Sequence, residues 1–335
     1  MDSFINNMPK VELHVHLEGT LEPELVFLLA QRNGIELNFE NPEALKETYK
    51  FTDLPSFLAV YYRAVEVLQT ERDFHDMTLA YLDKAAKNNI RYVEAFFDPQ
   101  AHTRRGIPLE VILTGIKEGQ ETALERTGIR SELIMCFLRD LSADSAFEHL
   151  CAAIPFQEYF VGIGLDSDEK GNPPIKFLDV FSRAKSEGLK LTMHCDVNQE
   201  NSLDHIWQCV DDIGVDRIDH GVNAIEDEAL MSKLAEKNLG LTICPLSNSF
   251  VVQTLTTGAI DLLMRREVPV TINSDDPAYF GGYLSDNIHA ISQAGFDNRK
   301  LVRLAQNAID VSWAPESLKA SLTKELREFC ETASC

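Results

Sequence analysis

The sequence predicts an α/β chain folded as a (β/α)8 TIM-type barrel, with a helical insertion after the first strand and closing helices at the C-terminus. Three observations predict it. Eight short apolar segments alternate with amphipathic helix patterns. Four of those segments end on metal-ligating residue types. The 335 residues contain no linker, low-complexity tract or short-period repeat that would divide them. Residues 1–335 are therefore read as one domain, and barrels of this length are common.

In chain order the strands are expected near 10–18, 90–98, 130–139, 160–166, 189–195, 216–221, 239–244 and 268–274. Most are apolar on both sides of the alternation, as in SELIMCF and GLTICPL, which is how strands covered on both faces read. Between them, PLEVILTGIKEGQETALERT, IKFLDVFSRAKSEG, SLDHIWQCVDDIG, EDEALMSKLAEKN and GAIDLLMRRE repeat apolar residues at three and four with charges opposite. Strand–helix alternation repeated about eight times is the signature of a parallel barrel. The stretch 20–88 is too long for one helix and divides into LEPELVFLLAQRNGI, SFLAVYYRAVEVLQ and ERDFHDMTLAYLDKAAKN, read as an insertion capping the barrel mouth. After residue 296, two further helical patterns close the chain.

Composition narrows the class. With 44% hydrophobic and 25% charged residues the chain reads as an ordinary globular protein. Its net charge of −22 comes without any Lys/Arg cluster, which argues against a nucleic-acid partner. No apolar run approaches the ~20 residues a membrane span needs, and MDSFINNMPKVEL lacks the basic and apolar regions of a signal peptide. Seven scattered cysteines without a CxxC pair fit a reducing, cytoplasmic setting. Composition leaves a homo-oligomer open.

The chemistry sits at the strand ends. In HVH, His14 and His16 are two apart and share one face of a strand. His194 closes the fifth strand, His220 the sixth, and Asp275 with Asp276 the eighth. A lone histidine is more often a hydrogen-bonded core residue, but this set occurs in barrel order, and barrel sites assemble from the C-terminal ends of several strands. Neutral imidazoles with a carboxylate suit zinc, and the same donors accept Fe(II) or Mn(II). Such an ion brings the pKa of its water near neutrality and makes hydroxide available. Of the other histidines, His75, His149, His205 and His289 read as surface or packing residues, and His102 as one that reaches the mouth. Phe51, Phe57, Tyr61 and Tyr62 of the expected cap read first as packing residues, in a place where a flat ring needs apolar faces.

With HVHLEG, RIDHG, CPLSN (244–248) and NSDDPAYFGGY (273–283), the chain resembles the adenosine/adenine deaminase family of amidohydrolases over nearly its whole length. HLEGTLEPE, FFDPQAHT and SDDPAYFGGY look more like its adenine-using branch. The resemblance implies His14, His16, His194 and Asp275 as metal ligands and His220 as the group that orients and deprotonates water. It implies Asp276 at the imidazole nitrogen of the purine, and Ser167 against its pyrimidine ring. Glu18, where the nucleoside branch carries a shorter acid, would fill the ribose space and favour a free base.

One motif departs from the family. A His-Ala-Gly-Glu run, whose Glu protonates ring N1, is replaced by His194-Cys195-Asp196-Val197, and valine carries no proton. An apparent two-residue insertion before Ile206 brings Gln199 or Glu200 into the acid's position; Glu200 is taken as the acid, with Asp196 as the second choice. The function expected is metal-dependent hydrolytic deamination of adenine to hypoxanthine and ammonia. The competing readings are deamination of adenosine or an N6-modified aminopurine, and a non-catalytic purine-binding relative.

Overall fold

In the computed structural model, eight parallel strands follow one another around the sheet in chain order. The described residues are 2–51, 54–197 and 199–333, without the side chains of Asp2, Leu54 and Pro55. The strands are β1 (Lys10–Glu12), β2 (Ile90–Phe97), β3 (Arg130–Leu138), β4 (Gly162–Asp166), β5 (Lys190–Cys195), β6 (Arg217–His220), β7 (Gly240–Ile243) and β8 (Val270–Ile272). All eight fall inside the segments the apolar runs predict. β1 and β8 are shorter than expected, for a reason that matters to the site. Beyond Glu12 the chain stays extended but trades a regular ladder for alternate bonds to its two neighbours. Phe96 N–H donates to Val15 O (2.8 Å) and Leu17 N–H to Phe96 O (2.9 Å), while His16 N–H donates to Asp275 O (3.0 Å) and Asp275 N–H to His14 O (3.0 Å). The segment carrying both N-terminal histidines thus stitches β2 to the end of β8 and closes the barrel at its mouth.

The interior below the mouth is filled, as barrels of eight strands require. Arg217 of β6 reaches Glu94 of β2 (2.5 Å) and donates to Leu13 O (3.2 Å), with its guanidinium 4.2 Å from the Trp313 ring. Arg217 and Glu94 are both fully buried, and removing either partner strands a charge, which costs about 3–5 kcal/mol.

The insertion expected over 20–88 resolves into helices Pro23–Asn33, Pro42–Lys46, Leu54–Ala64 and Glu71–Lys87; its residues Thr52 and Asp53 lie outside the described residues. The last of these packs along Leu109–Thr127 and β2, as an outer-ring helix does, and among these helices Leu54–Ala64 supplies the residues that line the cavity at the mouth. At the C-terminus, Asn298–Asp310 packs on β8 and β1 and serves as an outer-ring helix, with Glu316–Ala333 laid over it. Among the described residues, no helix is long and apolar enough to cross a membrane.

Lys10 opens β1 with its ε-amino group buried, donating to Ile5 O (2.7 Å) and Met8 O (2.8 Å). Burial, aided by the Arg91 charge, pushes its pKa down to about 7. Between that value and 10.5 the unfolded chain holds a proton that the folded chain has shed, so this group makes stability rise with pH across that window. We expect the unfolding free energy of the wild type to climb relative to that of Lys10→Met between pH 7 and 10 in denaturant titrations. A difference that stays flat with pH would contradict a neutral Lys10 in the folded state.

Candidate active site

Strand register sets the row beneath the mouth. His194 of β5 pairs with Asp219 of β6, Asp219 with Thr242 of β7, and Thr242 with Thr271 of β8. Thr192 Oγ1 donates to Asp219 Oδ2 (2.7 Å) and Thr242 Oγ1 donates to Asp219 Oδ1 (2.8 Å). With its proton committed to Asp219, Thr242 Oγ1 accepts from His14 Nδ1–H (2.9 Å), which leaves His14 Nε2 with a bare lone pair. Asp219 Oδ2 also lies 3.5 Å from His194 Nδ1, and Asp166 Oδ2 lies 3.6 Å from His16 Nδ1. Each of the three imidazoles therefore has an oxygen behind it, the arrangement that orients histidine ligands.

Their front faces converge. His16 Nε2 and His194 Nε2 are 3.1 Å apart, and Asp275 Oδ1 lies 3.1 Å from His14 Nε2 and 3.4 Å from His16 Nε2. All four side chains are nearly inaccessible to solvent. Burial holds the His14 and His194 imidazoles below their ordinary pKa, His194 strongly so. For His16 burial acts against protonation, but the Asp276, Asp166 and Asp275 carboxyls outweigh it and raise the pKa, so a proton can bridge its Nε2 to His194 where a divalent cation would otherwise sit. Bonds of ~2.0–2.2 Å to one ion put neighbouring donors roughly 3.0–3.5 Å apart. The donors His14, His16, His194 and Asp275 thus fit a single divalent metal. Among the described residues, two further groups, His220 with Cys244 and Asp275, and His16 with Asp98 and Asp166, are also close together, and each shares a residue with the first but brings only three donors.

Two residues at strand ends, His220 closing β6 and Asp275 after β8, are held in left-handed backbone, at φ 60° and φ 66°. Such strain in non-glycine residues clusters at functional sites. The residue before Asp275 is pinned from inside the barrel, where Glu12 Oε1 accepts from Ser274 N–H (3.1 Å) and Ser274 Oγ (2.5 Å). Asn248, from the CPLSN segment, accepts from His220 Nδ1–H (3.0 Å). His220 Nε2 then points inward, 3.2 Å from Asp196 Oδ1 and 3.8 Å from Asp275 Oδ2. Burial pushes Asp196 up to about 6. For His220 burial acts against protonation, but the Asp196, Asp275 and Asp219 carboxyls outweigh it and raise the pKa.

The sequence-expected residues divide as follows. His16, His194, His220, Asp275, Asp276 and Ser167 all line one cavity of about 670 Å³, open at its outer end, and fully buried His14 reaches the same centre from beneath. Phe57, Tyr61 and Tyr62 from helix Leu54–Ala64, with Phe280, supply its apolar walls. Asp196 is a wall residue; Glu200 is exposed and is not. Glu18 is buried behind the wall, its Oε1 accepting from His102 Nε2 (2.8 Å) and Asp98 N–H (3.1 Å). His102, expected at the mouth, is fully buried because it serves Glu18 and accepts from Arg105 Nη2 (2.8 Å) at its other nitrogen.

Sequence reasoning passed over Asp98 and Asp166, the wall carboxyls that end β2 and β4. The rule that found the ligands, a polar residue closing an apolar strand, applies to both. It also passed over the clamp behind the fifth strand. There Arg139 Nη1 donates to His194 O (2.8 Å), Glu169 Oε1 accepts from Asp196 N–H (2.5 Å), and Glu169 Oε2 meets His205 Nδ1 (2.8 Å). His205, read from sequence as a surface or packing residue, is thereby a buried packing residue. No short motif announces this network, because its members are far apart in sequence.

Gly19 of HVHLEG explains one invariant of the geometry. A Cβ there would stand 2.0 Å from Asp276 Oδ1 and 2.9 Å from Asp276 Cα, contacts that backbone cannot relieve cheaply. We expect Gly19→Ala to move Asp276 out of the cavity while leaving the metal donors in place. The check is a variant that retains its metal by elemental analysis yet loses purine affinity by about tenfold or more; unchanged affinity would contradict this packing argument.

Comparison with known proteins agrees with the geometry. The family described as Adenosine deaminase matches residues 9–329. An adenine deaminase from Vibrio parahaemolyticus is 45% identical over 332 residues, covering 98% of each chain. The crystal structure of an adenine deaminase from Arthrobacter aurescens superposes with a TM-score of 0.93 at 43% identity, covering 97% of this chain and 99% of that one. A zinc-bound amidohydrolase from Burkhoderia ambifaria superposes with a TM-score of 0.91 at 25% identity, covering 99% and 94%. The chain belongs to the adenosine deaminase family.

Proposed function

We propose that this chain catalyses the hydrolytic deamination of adenine to hypoxanthine and ammonia, with zinc as its metal. The observation that carries the reading is the meeting of four metal donors, one inward-facing imidazole nitrogen and one wall carboxyl inside a single aromatic-walled cavity. The relatives named adenine deaminase, similar across their whole length, support the free base as substrate. His14, His16, His194 and Asp275 would hold the ion; the donor set suits zinc, and Fe(II) or Mn(II) fits it too. A divalent cation there supplies Lewis acidity that makes hydroxide available near neutral pH.

The rest is done by the chain's own side chains. Attack at C6 forms a carbon–oxygen bond and pushes electrons onto ring N1, which must receive a proton. Asp196 supplies it, in place of the glutamate that the family carries and in preference to Glu200. Its position on the cavity wall and the clamp of its amide by Glu169 support this assignment. His220, oriented through Nδ1 by Asn248, takes the proton of the attacking water at Nε2 and returns it to the amino group, which leaves as ammonia as the C6–N bond breaks. The remaining C6 hydroxyl proton passes to Asp196, restoring the acid and leaving the 6-oxo group. Asp276 bonds N7, Ser167 borders the pyrimidine ring, and Phe57, Tyr61 and Phe280 keep bulk water off the ring.

The experiment is direct. Metal-loaded protein should convert the absorbance of adenine to that of hypoxanthine. Asp196→Asn should lower kcat by ~10²-fold or more, and Glu200→Gln should leave it within about twofold, as for a solvated side chain. A large loss in Glu200→Gln with little in Asp196→Asn would reverse the acid assignment. No turnover of adenine by the wild type with its metal bound would overturn the function.

A further inference from the structure

β4 and β5 part below the barrel mouth. Their register runs only from Gly162–Lys190 to Ile163–Leu191, whereas β5 stays paired with β6 as far as Cys195 and His220. In a parallel sheet the backbone groups of successive residues face opposite neighbours, and those two apart face the same one. On β5 the odd positions face β6: Leu191 O accepts from Asp216 N–H (2.8 Å) and Cys195 O from Gly221 N–H (3.0 Å). The even positions face β4, as Lys190 N–H does in donating to Val161 O (3.1 Å). His194 O and Asp196 N–H therefore face the side on which the ladder has already ended.

Two side chains take the place of the rungs. Arg139, the residue after β3, donates from Nη1 to His194 O (2.8 Å), and Glu169, three residues after β4, accepts from Asp196 N–H at Oε1 (2.5 Å). The carbonyl meets a donor and the amide an acceptor, as a neighbouring strand would have supplied them. The pair is itself joined, with Arg139 Nη1 3.6 Å from Glu169 Oε1 and both side chains fully buried. Each is braced from behind: Arg139 Nε donates to Asn172 O (2.9 Å), and His205 Nδ1 meets Glu169 Oε2 (2.8 Å). Neither Arg139 nor Glu169 borders the cavity.

Asp196 depends on this substitute rung. It lies one residue beyond β5, and its carboxyl must stand beside His220, 3.2 Å from Nε2. Parting β4 from β5 opens the mouth, but it removes the ladder that would fix the residue after the strand. A misplacement of about 1 Å in a reacting group can lower a rate by ~10²-fold. We propose that Glu169 is a positioning residue for deamination: by holding the Asp196 amide it sets where that carboxyl meets the ring. The inference rests on the reading of Asp196 as the acid. Glu169 touches no reacting atom, so its effect on the rate passes through Asp196.

The test is a double-mutant cycle on metal-loaded protein with adenine as substrate. Glu169→Asp keeps a charge facing Arg139 but draws the carboxylate back by about 1.5 Å, out of reach of the Asp196 amide. It should lower kcat per bound metal by about 10- to 100-fold and leave KM within about threefold. Made on Asp196→Asn, the same change should cost no more than about twofold, because the group it positions is already disabled. By NMR, the Asp196 amide should exchange at least about tenfold faster in Glu169→Asp than in the wild type. Equal fold-losses in the two backgrounds would reduce Glu169 to a general support of the fold and overturn the proposal, as would an unchanged kcat in Glu169→Asp. Should Glu169→Asp not fold, His205→Phe, which removes the brace on Oε2 and keeps a ring, goes through the same cycle and is judged by the same outcomes. Wild-type turnover in Asp196→Asn would instead locate the failure in the acid assignment, and amide exchange would still judge whether Glu169 holds the end of β5.

Discussion

Everything at the barrel mouth is organised by one electrostatic demand: three imidazole nitrogens and a carboxylate oxygen, drawn from β5 and the extensions of β1 and β8, meet in a buried space where neighbouring donors stand 3.1–3.4 Å apart. At this spacing the cluster needs a positive charge among its members, either a proton on His16, whose pKa rises because its burial is outweighed by the neighbouring carboxyls, or a metal ion. Holding it together takes the closing bonds between His14, His16 and Asp275 backbone, the Glu12 carboxyl that grips Ser274, and the left-handed turn at Asp275. The barrel closes where the donors are, so the site and the last stave pairing are one construction. Loss of the donors therefore bears on the seam of the barrel as well as on chemistry.

Behind the donors, oxygen atoms assign the protons. Asp219, held by Thr192 and Thr242, fixes the tautomer of His14 and backs His194. Asn248 does the same for His220. Arg139 and Glu169 hold the backbone on both sides of Cys195, tying a metal donor and the wall carboxyl Asp196 to one buried clamp. The net charge of −22 plays no part in this. What matters is that a few carboxyls are buried and individually partnered, while most of the 53 acidic residues are not in the site.

How far the sequence reaches can be read residue by residue. The strands were legible because strands buried on both faces leave apolar runs, and His14, His16, His194, His220 and Asp275 were legible because each ends such a run. Glu200 was not placeable from sequence: its choice depended on spacing across a loop, and only the folded chain shows that the turn carries it to solvent while Asp196 stays on the wall. Glu18 was recognised as significant but misplaced by one layer, because a motif carries no depth. Asp98 and Asp166 end β2 and β4 as the donors end theirs, and were overlooked because they lack the neighbouring histidines that draw attention to a ligand set. Helix Glu71–Lys87 looked like part of the cap because helical periodicity does not say which neighbour an apolar stripe packs against.

The central claim is that this seam of the barrel is a metal centre made of nitrogen and oxygen. X-ray absorption on the zinc-loaded protein tests it most directly. One zinc per chain with three imidazole nitrogens and carboxylate or water oxygens at ~2.0–2.2 Å is the predicted result. A sulfur scatterer at ~2.3 Å would move the ion to Cys244, and failure to retain stoichiometric metal would remove the basis for the chemistry proposed.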